Sequence, residues 1–183
     1  MGSVYPSIDD ELRAWLPAQP MFFVATAPLD ADGTINLSPK GLPRTFAVLG
    51  PNEVAYLDIT GSGIETIAHL RENGRIVVMF CAFEGDPNIV RLHGRGRAVH
   101  PGDEGFDELA AAFDVPMPPS LRSIIKVDVS RVSDSCGFGV PYMDMKGYRD
   151  NFAKAEAHVT ADEWVAYRAE HNATSIDGLP GLD

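Results

Sequence analysis

Cysteine is almost absent: Cys81 and Cys136 are the only two in 183 residues. Two are too few for a disulfide framework, and no Cys-x-x-Cys pair is there to hold a metal. The histidines His69, His93, His100, His158 and His171 are scattered without His-x-x-x-His spacing, so no zinc site is expected. No Gly-x-Ser-x-Gly elbow marks a serine hydrolase. Basic residues are also scarce. Fifteen Lys and Arg face 26 Asp and Glu, a formal net charge of −11, which opposes duplex nucleic acid and anionic lipid as partners. No apolar run approaches the ~20 residues a membrane helix needs. Met1 to Pro6 lacks a basic stretch followed by an apolar one, and Pro6 stands where a myristoylation signal has Ser or Thr. The expectation is a cytoplasmic protein.

What remains is the composition of a folded chain, 45% hydrophobic and 22% charged. A domain of this length buries roughly 70% of its unfolded surface without staples. One domain over 1–183 is expected, with a core over about 20–132 and a helical extension over 142–183. Seventeen glycines and 14 prolines, spread throughout, suit many strands and turns. Ile8 to Leu16 reads as a short helix closed by Pro17 and Pro20. Met21 to Ala27 reads as a buried strand, and Asp30-Ala31-Asp32-Gly33 as a turn. Thr34 to Lys40 alternates, with Ile35 and Leu37 on one side and Asn36, Ser38 and Lys40 on the other. Thr45 to Leu49 and Glu53 to Asp58 form a hairpin around Gly50-Pro51-Asn52.

Gly63 to Asn73 predicts a helix, with a Ser62–Glu65 capping box and Gly74 as its stop. Arg75 to Phe83 and Ile89 to His100 follow as strands. Asp103 is placed to cap a helix carrying Phe106, Leu109, Ala110 and Phe113, and Ser123 to Val132 alternates as a strand. Thr160-Ala161-Asp162-Glu163 starts a last helix through Trp164 and Tyr167. The strands do not alternate with helices as parallel units would. The fold class expected is mainly β within α+β, an antiparallel barrel with peripheral helices.

Four features bear on function, each with two readings. Gly61-Ser62-Gly63-Ile64-Glu65-Thr66 follows a strand and opens a helix, a context in which free amides and the helix dipole favour an anion. It lacks the third glycine of a dinucleotide fingerprint and the Gly-Lys-Ser/Thr of a P-loop, so it is either an anion site or a helix that caps itself. The Asn36, Ser38, Lys40 face either grips an anion or is solvated. Arg91, His93, Arg95 and Arg97 share one face of their strand, as a phosphate or carboxylate grip or as a salt-bridged surface. Cys136 sits in a Gly-rich segment with Arg131 as the nearest basic residue, which favours a structural cysteine over a nucleophile. With no metal, triad or activated nucleophile in view, the chemistry is assigned to an organic cofactor.

The order of these phrases resembles the pyridoxamine 5′-phosphate oxidase-like, FMN-binding split-barrel family. Phe22-Phe23-Val24-Ala25-Thr26-Ala27 with Gly33 resembles its first strand and turn, and Asn36-Leu37-Ser38-Pro39-Lys40-Gly41 its second strand. Val54-Ala55-Tyr56-Leu57-Asp58, Gly61 to Thr66, Leu70 to Phe80 and Arg91-Leu92-His93-Gly94-Arg95-Gly96 follow in family order over residues 20 to 132. Cys136 to Pro141 and Ser175 to Pro180 are similar to an uncharacterised branch. The resemblance implies a split barrel that forms a homodimer with FMN at the subunit interface, acting as an oxidoreductase on a small molecule; deazaflavin and haem relatives exist. It lays the flavin along Ser38, Pro39, Lys40 and Gly41, and its phosphate against Thr60, Ser62, Gly63 and Thr66. The oxidase's Arg-Lys pair is replaced here by Ile64-Glu65-Thr66, and an arginine of its second strand by Ser38. Lys40 or Arg91 is expected to supply the missing charge. The oxidase's C-terminal Trp and Arg substrate residues have no counterpart. The sequence names no catalytic acid or base.

Overall fold

A computed structural model describes residues 2–182 of the chain. Among them, eight strands form one antiparallel sheet: β1 (Val4–Tyr5), β2 (Phe22–Thr26), β3 (Asn36–Lys40), β4 (Phe46–Gly50), β5 (Glu53–Ile59), β6 (Arg75–Cys81), β7 (Ile89–Val99) and β8 (Leu121–Ser135). The order is β3-β2-β6-β7-β8-β5-β4, with β1 alongside β8. β3 and β4 are neighbours in the chain yet stand at opposite ends of the sheet. The sheet still curls round. Phe46 of β4 packs on Phe22 of β2 and Phe80 of β6, with ring centroids 5.3 and 4.9 Å apart. This is the antiparallel barrel expected from the order of elements, in the split form that the family resemblance implies.

Alternation decides what fills it. Val24, Val78 and Leu92 stand in register across β2, β6 and β7, all fully buried in the barrel. β5 is buried on both faces: Val54 and Tyr56 enter the barrel, while Ala55 and Leu57 join Phe106, Phe113 and Ile124 in a second cluster outside it. That double burial explains the near-continuous apolar run of Val54 to Leu57. The register of β8 slips by one residue opposite His93 and Gly94, which leaves Ser130 as a bulge.

Five helices flank the sheet: α1 (Asp10–Ala18), α2 (Glu65–Asn73), α3 (Phe106–Ala110), α4 (Asn151–His158) and α5 (Ala161–His171). Several ends differ from expectation. α1 runs through Pro17, which lies in its last turn and cannot donate to the Arg13 carbonyl, and the helix ends one residue later at Ala18. The Ser62–Glu65 capping box does not form. α2 starts after Ile64 with no side-chain cap, and the Glu65 carboxylate accepts from the Ile176 amide instead, at 3.3 Å. Asp103 caps no helix: α3 begins after Gly105, and Asp103 accepts the His100 amide at 2.7 Å. Gly74 ends α2 in the left-handed region as expected, and the Thr160–Glu163 capping box is present. α4 and the two-residue β1 carry no periodic signal strong enough to anticipate.

Gly94 lies where β7 meets the bulge, and a Cβ there would collide with the Asp128 carbonyl of β8. Gly94→Ala is therefore expected to destabilise by about 1–3 kcal/mol. Gly61, with open space around it, should accept alanine nearly neutrally. Equilibrium denaturant unfolding of the two variants checks the contrast.

Candidate functional site: a polar cradle at the split

Cross-strand pairing sets which way β3 faces. Asn36, Ser38 and Lys40 are paired with Thr26, Val24 and Phe22, all three of them buried, so the polar row faces inward. Ile35 and Leu37 lie on the outer side and are 74% and 64% exposed. The polar face is thus the sheltered one and the apolar face the solvated one, the reverse of an ordinary surface strand.

The inward row is wired to α2. Asn36 Nδ2 donates to Thr26 Oγ1 at 3.1 Å and to Thr66 Oγ1 at 3.0 Å, while Ser38 Oγ donates to Asn36 Oδ1 at 3.0 Å. Thr26 Oγ1 also meets His69 Nδ1 at 2.9 Å. His69 is fully buried, and its Nε2 has no partner among the described residues. Burial holds its pKa below the ordinary value, against the pull of Asp177, Glu65 and Glu72. The row is therefore neutral and rich in hydroxyl and amide groups. The first-turn amides of α2 receive no side-chain cap.

Lys40 ends the row in an ion pair. Its Nζ donates to Asp58 Oδ1 at 3.2 Å, and Arg122 Nε donates to Asp58 Oδ2 at 2.6 Å. Asp58 is fully buried. Burial would raise its pKa, but the charges of Lys40 and Arg122 outweigh it and hold the carboxyl below the usual carboxylate value. Beside Lys40, the gap between β3 and β4 opens into a cavity of about 490 Å³, with Phe22, Phe46, Phe80 and Tyr148 in its lining. That volume falls in the range of small-molecule pockets, roughly 300–1,000 Å³.

The turn before α2 is held from behind. Thr60 Oγ1 donates to the Ser120 carbonyl at 2.6 Å and accepts from Arg168 at 3.1 Å, so its hydroxyl is committed. Asn172 donates to the Gly61 carbonyl at 2.9 Å, and Arg122 to the Gly63 carbonyl at 2.7 Å. Ser62 and Gly63 are exposed at the tip. The Glu65 carboxylate lies against Gly63, so a negative charge already sits at this helix start.

The structure thus brings Ser38, Lys40 and Thr66 onto one inward surface with Asn36, which the alternation placed on that face but the resemblance did not assign to the flavin. Thr60, Ser62 and Gly63 form the adjoining turn. Pro39 faces outward, and Gly41 is exposed just past β3. Arg91 stands apart: it lies on the outer row of Pro39, Phe23 and Met79, three strands from β3, and donates to Ser135 Oγ at 3.0 Å. Sequence reasoning missed Asp58, Arg122 and His69 as site residues. A signal existed for Asp58, a charge that directly follows the apolar run Val54 to Leu57, whereas Arg122 is one of several charges along β8.

Asp58→Asn would leave Lys40 and Arg122 without their buried anion, and a loss of about 3–5 kcal/mol is expected. Lys40→Met should cost less, because Arg122 still pairs with Asp58. Urea unfolding of the two variants against the parent chain gives the order directly.

Comparison with known proteins agrees with this architecture. The sequence model of the family described as pyridoxamine 5′-phosphate oxidase matches residues 8–136. The chain is 43% identical over 196 residues to the pyridoxamine 5′-phosphate oxidase family protein ustO of Aspergillus flavus, an alignment covering 100% of this chain and 78% of that protein. Among solved structures, an FAD-binding protein from Mycobacterium smegmatis superposes with a TM-score of 0.52 at 15% identity, over 73% of this chain and 96% of that one. An FMN-binding protein from Syntrophomonas wolfei gives 0.50 at 17% identity, over 66% and 80%. At such identities these two structures speak for the shared split-barrel fold. With the family match spanning most of the chain, the protein belongs to the pyridoxamine 5′-phosphate oxidase family.

Proposed function

We propose that this protein is a flavin-dependent oxidoreductase that binds FMN in the cradle between β3 and the start of α2, working as a homodimer on a small-molecule substrate. The observation that carries the reading is the inward row of Asn36, Ser38 and Thr66 beside the uncapped α2 amides. Neutral hydroxyl and amide groups of this kind suit the ribityl hydroxyls and the carbonyl edge of a flavin. A bound flavin supplies hydride transfer at its N5.

The chain's own residues bind and orient. Ser38 and Thr66 exchange hydrogen bonds with the polyol, and Lys40, held in place by Asp58, presents its ammonium to the polar edge of the ring. Backbone amides at Gly63 and Thr66, with the Ser62 hydroxyl, face the phosphate end. That end is the weakest part of the fit, because Glu65 lies against Gly63 and supplies the wrong sign of charge. The exposed apolar side of β3, Ile35 and Leu37, suits a second copy of the chain. On that face, Arg91 would serve the partner's cofactor rather than its own.

Two experiments test the reading. In fluorescence titrations, Ser38→Ala and Lys40→Met are each expected to weaken FMN binding by about tenfold, the worth of one hydrogen bond to a charged or strongly polar group. Unchanged affinity in both removes the cradle from the proposal. Retention of flavin without turnover with any nicotinamide would leave a flavin-binding protein that is not an enzyme. By sedimentation, the parent chain should be a dimer and Leu37→Asp a monomer. A monomeric parent chain rejects the interface.

A further inference from the structure

A second concave surface lies behind the Thr60–Gly63 turn. It encloses about 580 Å³, and four arginines reach it from four different elements: Arg71 from α2, Arg97 from β7, Arg122 from β8 and Arg168 from α5. His100 joins them, and Leu70, Ala98 and Leu121 supply an apolar floor. No carboxylate lines it among the described residues. In a chain of net charge −11 with only 15 basic residues, this convergence runs against the bulk charge.

The arginines are not equally occupied. Arg122 is spent on Asp58, the Gly63 carbonyl and Asn172 Oδ1, and Arg71 donates to the Gly181 carbonyl. Among the described residues, the Arg168 side chain reaches only the neutral Thr60 hydroxyl. Arg97 is exposed and makes no hydrogen bond or ion pair among the described residues. Burial and the like charge of Arg122 push the Arg168 pKa below its ordinary value. Arg122 therefore opposes the charge of Arg168, and an anion beside Arg168 and Arg97 would offset that opposition. Guanidinium forks match phosphate oxygens in pairs, which a lone surface charge does not.

We propose that this cleft is an anion-binding site that takes the phosphate group of a small organic ligand between Arg97 and Arg168, with the ligand's body over Leu70, Ala98 and Leu121. The proposal does not rest on the flavin reading. The phosphate has two sources: FMN itself, whose phosphate would then pass the turn that Arg168 and Arg122 hold instead of resting on the Gly63 and Thr66 amides, or a separate phosphorylated metabolite.

Calorimetric titration of the whole chain with inorganic phosphate at low salt tests the site. Binding is expected to weaken at least about tenfold in Arg97→Gln, since a hydrogen bond to a charged group is worth roughly 1.5–3 kcal/mol. Arg97 is exposed and holds nothing else among the described residues, so this variant should fold. Arg131→Gln removes the same charge from an exposed position on β8 outside the cleft and should leave phosphate affinity unchanged. Displacement of phosphate by FMN but not by riboflavin supports the site and names the cofactor as the source. Phosphate binding that FMN does not disturb supports the site and names a separate ligand. Absence of phosphate binding, or equal weakening in Arg97→Gln and Arg131→Gln, overturns the proposal. A protein that binds phosphate through Arg97 yet takes no flavin would reject the proposed function and leave this site standing.

Discussion

Lys40 and Asp58 join two parts of the barrel that no backbone ladder joins. β3 is one end strand of the sheet and β5 stands next to the other end, so this pair spans the split. Asp58 can be fully buried there only because Lys40 and Arg122 reach it from opposite sides of the gap. The same arrangement orients Lys40, leaving its ammonium 5.8 Å from the Tyr56 ring centroid and facing the cavity. A charge that closes the fold is thus also the charge nearest the proposed ligand.

Arg122 carries the constraint onward. From Asp58 it reaches the Gly63 carbonyl and Asn172, and Asn172 in turn holds the Gly61 carbonyl. The turn that opens α2 is therefore fixed by residues from β8 and from the end of α5. That explains how α2 starts without a side-chain cap. Its first turn is positioned by tertiary contacts, and its amides stay available. Two surfaces result on either side of one turn. The cradle side is neutral and polar, with an acidic residue at its tip. The other side is basic with an apolar floor.

Much of the barrel was legible in the chain itself. A buried apolar run marked β2, period-two alternation marked β3, β7 and β8, and the hairpin around Gly50-Pro51-Asn52 joined β4 to β5 as expected. Capping chemistry was legible only where it was local. Thr160 and Glu163 close their box within one turn. Ser62 and Glu65 do not, because Ile176, far along the chain, competes for the same carboxylate. Local propensity cannot register a competitor 111 residues away.

The sequence by itself determined which residues of β3 share a face, because a strand's side chains alternate whatever surrounds them. Only the tertiary structure decided that the polar face turns inward, since that depends on β2 pairing Asn36, Ser38 and Lys40 with Thr26, Val24 and Phe22. The sequence likewise established a short supply of positive charge. Where that charge gathers was decided by packing: Arg71, Arg97, Arg122 and Arg168 belong to four elements spread over nearly 100 residues, and no spacing rule links them. Asp58 and Arg122 show the reason most plainly. Each is a buried charge, costly alone, and tolerable only when folding brings its partner within 2.6 Å.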